Sequence, residues 1–110
     1  MNNILAYHYD AFSIEPNKGN PAGVVIDTKN LTDKQMQEIA YNIGFNETTF
    51  VVGSDKADLG IRYFTPGHEM NLCGHGTIAT LFCLYSRGML KDTDTLTIDT
   101  KAGIIPIKLV

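Results

Sequence analysis

Arg62-Tyr63-Phe64-Thr65-Pro66-Gly67-His68-Glu69-Met70-Asn71-Leu72-Cys73-Gly74-His75-Gly76-Thr77 is the stretch on which the fold turns. Upstream of its loop, Leu59, Ile61 and Tyr63 alternate with polar or smaller residues at the period of a strand, and Thr65-Pro66-Gly67 breaks that pattern. Downstream, from Gly74 to Arg87, Ile78, Leu81, Phe82 and Tyr85 recur at helical spacing on one face, while Ala79, Cys83 and Leu84 fill much of the remainder. A helix apolar nearly all round is a buried one, so the stretch reads as a strand leading through a loop into a central helix that Gly88 ends.

The flanking segments add further elements. Thr48 to Val52 is a buried strand, with Gly53 to Ala57 as the turn that follows. Thr32 and Gln35 stand at the spacing of a capping box, and Leu31 and Met36 occupy the two positions of a hydrophobic staple. Met36, Ile39, Ala40 and Ile43 then form one apolar stripe that Gly44 stops, which predicts an amphipathic surface helix. Ile4 to Phe12 and Ala22 to Ile26, separated by the polar Ser13 to Asn20, read as a hairpin-like pair of strands. Toward the C-terminus, Thr95 to Asp99 alternates Leu96 and Ile98 with polar neighbours, Lys101-Ala102-Gly103 turns the chain, and Ile104 to Val110 is a last strand. The sequence stops inside this apolar pattern, an ending expected of a truncated domain.

With 110 residues, 44% hydrophobic and 19% charged, the composition is that of one globular domain. The net charge of -3, with no local Lys/Arg cluster, lacks the electrostatic footprint of nucleic-acid binding. No apolar run approaches the roughly 18 residues of a membrane span, and the first residues lack the basic and apolar regions of a signal peptide, so a cytoplasmic protein is expected. Cys73 and Cys83 are separated by ~15 Å of rise on one predicted helix and cannot bridge each other.

Chemistry concentrates at the start of that helix. Gly74 and Gly76 leave backbone N–H groups uncovered where the helix dipole is positive, which predicts a site for a carboxylate or phosphate. The same glycines would equally permit close packing at the turn, and the residues alone leave both readings open. His75, in the first turn, is suited to orient a substrate through one hydrogen bond, or equally to cap its own loop. Cys73 is either a thiol activated by the dipole or a buried packing residue. His68, Glu69, Cys73 and His75 lie close in sequence, but their spacing matches neither a His-Glu-x-x-His helix nor a Cys-x-x-Cys knuckle, and no metal site is expected. Glu47 is the second candidate. It stands at the mouth of the strand Thr48 to Val52, and partial desolvation in such places brings carboxyl groups toward the range useful for general acid or base work, whereas a solvated strand-end carboxylate is the plainer alternative.

Gly19-Asn20-Pro21-Ala22-Gly23-Val24, then Asn46-Glu47-Thr48-Thr49-Phe50, then Tyr63-Phe64-Thr65-Pro66 with Glu69 and Leu72-Cys73-Gly74-His75-Gly76-Thr77, resemble in order and spacing the N-terminal half of the PhzF (phenazine-biosynthesis-like) family. The resemblance covers nearly the whole chain. It implies an α+β, diaminopimelate epimerase-like fold over residues 1–110, in which a curved mixed sheet wraps a buried central helix and forms one of two similar halves. It also implies a cofactor-independent isomerase of a biosynthetic process, in which Glu47 shuttles a proton on a small carboxylic-acid substrate. Gly74, His75 and Gly76, with Asn46 and Asn20, would line the substrate site, and the implied assembly is a homodimer.

Cys73 holds the position at which related racemases and epimerases carry the first of two catalytic thiols. Its partner would come from the other half, since Cys83 lies three turns along the same helix. The sequence departs from the pattern at Asn46, where the family carries a serine, and in lacking the second half with its acidic residue. A chain of this length is therefore expected to be inactive alone. Two other readings stand beside the isomerase: a catalytically silent half-domain that binds or oligomerises, and half of a two-cysteine racemase.

Overall fold

The computed structural model describes residues 4–11, 20–90 and 95–108. Phe12, Ser13 to Gly19, Leu109 and Val110, to which the sequence assigns the end of the first strand, the first loop and the apolar chain end, lie outside the described residues. Along the chain come β1 (Ala6–Ala11), β2 (Asn20–Val25), α1 (Asp33–Ile43), β3 (Glu47–Val52), β4 (Leu59–Phe64), β5 (Glu69–Met70), α2 (Gly74–Ser86), β6 (Thr95–Thr100) and β7 (Gly103–Lys108). The strands form one mixed sheet in the order β1-β2-β3-β4-β6-β7, with the two-residue β5 paired to β4 beside that path. β2 runs parallel to β3 and β4 parallel to β6, and the other pairs are antiparallel. Ala22 faces Glu47 and Thr48 faces Phe64. The starts of β2 and β3 and the end of β4 thus share one end of the sheet.

α1 forms where its local signals place it. Thr32 N–H donates to Gln35 Oε1 (2.9 Å) and Gln35 N–H to Thr32 Oγ1 (3.1 Å), so both halves of the capping box are made. At the other end Gly44 adopts φ 73°, a conformation cheap only for glycine, and its N–H donates to Ala40 O. Met36 and Ala40 bury against Val25, Phe50 and Phe64 on one face of the sheet, with Leu31 and Ile39 packed around them.

α2 lies on the opposite face, and its burial shows that the sheet curls. Ala79 and Cys83 pack with Ala22 and Val24 of β2 and with Tyr7 and Tyr9 of β1. Leu81, between them along the axis but about 160° to 200° away around it at 100° per residue, packs with Ile61 and Tyr63 of β4 and Leu96 and Ile98 of β6. A flat sheet cannot touch both sides of one helical turn, so the two wings must bend around α2. The buried residues Gly76, Thr77, Ala79, Thr80, Leu81, Cys83 and Leu84 cover an arc of about 200°.

That arc corrects the expectation of a helix buried nearly all round, most visibly along the apolar row Ile78, Leu81, Phe82 and Tyr85. Of these only Leu81 is buried, and Ile78, Phe82 and Tyr85 are exposed. Close approach to the sheet selects small and hydroxyl-bearing residues for the inner face, so apolarity alone points to the wrong side of this helix.

Candidate active site

β3 carries Glu47 as its first residue, on the side of the sheet that faces α2. Its side chain is drawn in rather than solvated, with a relative exposure of 7%. Burying a carboxylate is costly unless its oxygens find donors. One does: the Cys73 thiol donates to Glu47 Oε2 at 2.9 Å. The other oxygen, Oε1, is buried with no hydrogen-bond partner among the described residues.

Cys73 is the N-cap of α2, in extended conformation at φ -142° and ψ 118°. Its Sγ accepts the Gly76 N–H at 3.5 Å and its carbonyl accepts the Thr77 N–H at 2.9 Å. Cys73 thus caps the Gly76 amide, so that donor is not uncovered as expected, while the Thr77 N–H makes the ordinary first bond of the helix. Nor does Glu69 plug it, since that carboxylate lies against Arg62 and Lys101. Burial, and next the hydrogen bond to Glu47, push the Cys73 thiol up, against a smaller downward pull from the Gly76 and His75 amides. The dipole expected to activate this sulfur is outweighed, and Cys73 stays a protonated donor at neutral pH.

Two hydroxyl relays fix α2 against the sheet. Thr77 Oγ1 donates to Cys73 O (2.9 Å) and is joined to Tyr63 Oη at 2.6 Å. Thr80 Oγ1 donates to Gly76 O (2.7 Å) and is joined to Thr49 Oγ1 at 2.6 Å. Burial pushes the Tyr63 hydroxyl up, which keeps it a donor. Between the relays sits Gly76. A Cβ there would fall 2.8 Å from Thr49 Cγ2 and 3.2 Å from Tyr63 Cδ1, so at this position the close-packing reading of the glycine holds. A Cβ at Gly74 would meet nothing within 4 Å.

The structure gathers the other sequence candidates at the same end of the sheet. His75 is half-buried in the first turn of α2, Gly74 opens that turn, and Asn46 is exposed directly before Glu47. Asn20 opens β2, two residues before the Ala22 that pairs with Glu47. His68 and Glu69 are drawn elsewhere. His68 closes a tight turn in which Thr65 N–H donates to His68 O (2.8 Å), and Glu69 accepts two hydrogen bonds from Arg62 at 2.7 and 2.8 Å. Among the described residues no group of three or more His, Cys, Asp or Glu side chains is placed to hold a metal ion. Cys73 and Cys83 are both free, and no described helix is long and apolar enough to cross a membrane.

Sequence reading missed the thiol–carboxylate contact and the four hydroxyls of Thr49, Tyr63, Thr77 and Thr80. The available signal was Thr77 and Thr80, three residues apart on an otherwise apolar helix that begins with glycines.

Comparison with known proteins finds relatives along most of the chain. The chain is 54% identical over 101 residues to the uncharacterised isomerase YfhB of Bacillus subtilis, covering 92% of this chain and 34% of that one. It is 37% identical over 101 residues to the trans-2,3-dihydro-3-hydroxyanthranilate isomerase of Pseudomonas aeruginosa, covering 91% and 35%. A crystal structure of a phenazine biosynthesis protein of the PhzF family from Bacillus anthracis superposes with a TM-score of 0.91 at 56% identity, over 98% of this chain and 36% of that one. A hydroxyproline epimerase from Agrobacterium vitis shares the fold alone, with a TM-score of 0.68 at 12% identity over 92% of this chain and 35% of that one. The chain spans about a third of the length of the relatives it matches. Their shared fold is the α+β, epimerase-like one built here around α2, and the family model described as phenazine biosynthesis-like protein matches residues 9–110, so the chain belongs to the PhzC-PhzF family.

Proposed function

We propose that these residues supply the proton-carrying half of an isomerase that acts, without cofactor or metal, on a small carboxylic acid. Glu47 is the acid/base, and Gly74, His75, Gly76, Asn46 and Asn20 hold the substrate. The observation that carries this reading is Glu47 Oε1, a carboxylate oxygen buried at the mouth of β3 beside the start of α2 and bonded to no described residue. A carboxylate takes a proton from one carbon of the substrate and returns it at another, so it ends the cycle as it began and no electrons change hands. The isomerase names of the relatives support the reaction class, and the anthranilate-type substrate named for the Pseudomonas enzyme supports a carboxylic acid. The acidic partner, in this reading, comes from a second half, and the assembled enzyme is a cytoplasmic homodimer.

The test uses the protein translated from the complete reading frame that contains these residues. Incubated in D2O with small carboxylic acids bearing an acidic C–H, the wild type should exchange that hydrogen for deuterium, read by mass spectrometry. Glu47→Gln should slow exchange on the order of a hundredfold or more with the circular dichroism unchanged. Full exchange in Glu47→Gln together with total loss in Cys73→Ser would transfer the chemistry to the thiol, as in a two-cysteine racemase. No exchange by the wild type on any acid would favour the silent binding module.

A further inference from the structure

The resemblance to the family gives Cys73 no part in a carboxylate mechanism, yet the structure joins it to Glu47, the carboxylate read here as the proton carrier. Its thiol reaches Glu47 Oε2 at 2.9 Å, and the same sulfur accepts the first-turn amide of Gly76 at 3.5 Å. Its backbone is held as well, because the Cys73 carbonyl accepts both the Thr77 N–H and the Thr77 hydroxyl at 2.9 Å, with Tyr63 behind that hydroxyl. The sulfur therefore cannot drift from Glu47 without breaking the cap of α2. Glu47 in turn has two oxygens in different states, one accepting from sulfur and one buried with no partner among the described residues.

We infer that Cys73 is a positioning residue for Glu47: its thiol occupies Oε2 and so assigns the transferable proton to Oε1. The inference rests on the reading of Glu47 as the proton carrier. The thiol proton remains on sulfur throughout. Oε2 accepts it whether Oε1 is bare or protonated, since a carboxylate oxygen and a carbonyl oxygen are both acceptors. A thiol is a weak donor, so it orients the carboxylate while drawing little charge from it. A hydroxyl at the same place would orient equally well but favour the charged carboxylate more strongly, making it a poorer base.

Two measurements on the full-length protein test this, one of them independent of turnover. The first is the pH dependence of Cys73 alkylation by iodoacetamide, followed on the Cys73 peptide by mass spectrometry, with the buried Cys83 as an unreactive reference. Because the Glu47 carboxylate helps push this thiol up, Glu47→Gln should move the alkylation midpoint to lower pH. An unmoved midpoint overturns the contact. The second is the pH–rate profile. Cys73→Ala should lower kcat about tenfold with KM nearly unchanged, the cost of a carboxylate free to rotate away. Cys73→Ser, still an N-cap residue, should restore most of kcat and move the acid limb of the profile to lower pH. If both variants keep the wild-type profile while Glu47→Gln is inactive, Cys73 does not position Glu47 and the carboxylate reading survives. If Glu47→Gln is active, both inferences fall.

Discussion

At Gly76 the helix axis and the sheet approach so closely that a single methyl group decides the geometry of the site. Gly76→Ala would put its Cβ 2.8 Å from Thr49 Cγ2 and 3.2 Å from Tyr63 Cδ1, and both neighbours are fully buried with little room to yield. Overpacking of this kind costs about 1 to 3 kcal/mol. Urea unfolding should show that loss for Gly76→Ala, and Cys73 in the variant should alkylate faster as α2 lifts from β3. Gly74→Ala meets no atom within 4 Å, so it should unfold within about 0.5 kcal/mol of the wild type. If Gly74 lines the substrate site as proposed, that variant should nonetheless raise KM. An unchanged KM in a folded Gly74→Ala would remove Gly74 from the site.

Between elements, one ion network on the α1 face ties together segments far apart in sequence. Arg62 of β4 meets Glu69 of β5 at 2.7 Å and Asp33 at the start of α1 at 2.7 Å, and Lys101 of the β6–β7 turn meets Glu69 at 2.8 Å. Burial alone would push the Glu69 carboxyl up, but Arg62 and Lys101 together hold it below its ordinary value. The hydrogen bond from Arg62 likewise holds Asp33 low. A depressed carboxyl contributes stability that is complete above its unfolded value and is lost as pH falls through the lower folded value. Thermal melts should therefore show Glu69→Gln melting below the wild type at pH 7, with the gap closing as both are acidified past the carboxylate range. A gap that persists unchanged into acid would mean that packing, not charge, sets the difference. The predicted strands and α1 appear because their signals are local, whereas β5 was invisible to periodicity: two residues held by a Thr65 turn carry no period.

At the scale of the molecule, the outer side of α2 leaves apolar side chains in the open even though Phe82 leans edge-on against Tyr9 of β1. Ile78, Phe82 and Tyr85 are 49%, 60% and 72% exposed and fall at i, i+4 and i+7, on one side of the helix. An apolar row of this kind on a soluble surface tends to recruit another surface. A second copy offers an identical row, and two-fold pairing would cover both. Sedimentation of the 110-residue polypeptide should show concentration-dependent association, and Phe82→Asp should shift it toward the monomer. A wild-type monomer at the highest soluble concentration would refute the expectation.

By itself the sequence determined what depends on neighbours in the chain. The capping box of Thr32 and Gln35, the left-handed Gly44, the strand runs, the glycine-led start of α2 and the motif set of the family are all written within a few residues of one another. Glu47 and Cys73 were each visible as candidates for that reason. Tertiary structure alone decided that they touch, since 26 residues separate them and only the close seat of α2 on β3 brings sulfur to carboxylate. It also decided which side of α2 is inward. Seven of its residues from Gly76 to Leu84 meet strands from both wings of the sheet, and that arc follows from the curl of the sheet and the space left beneath the helix, neither of which a hydrophobic period can encode.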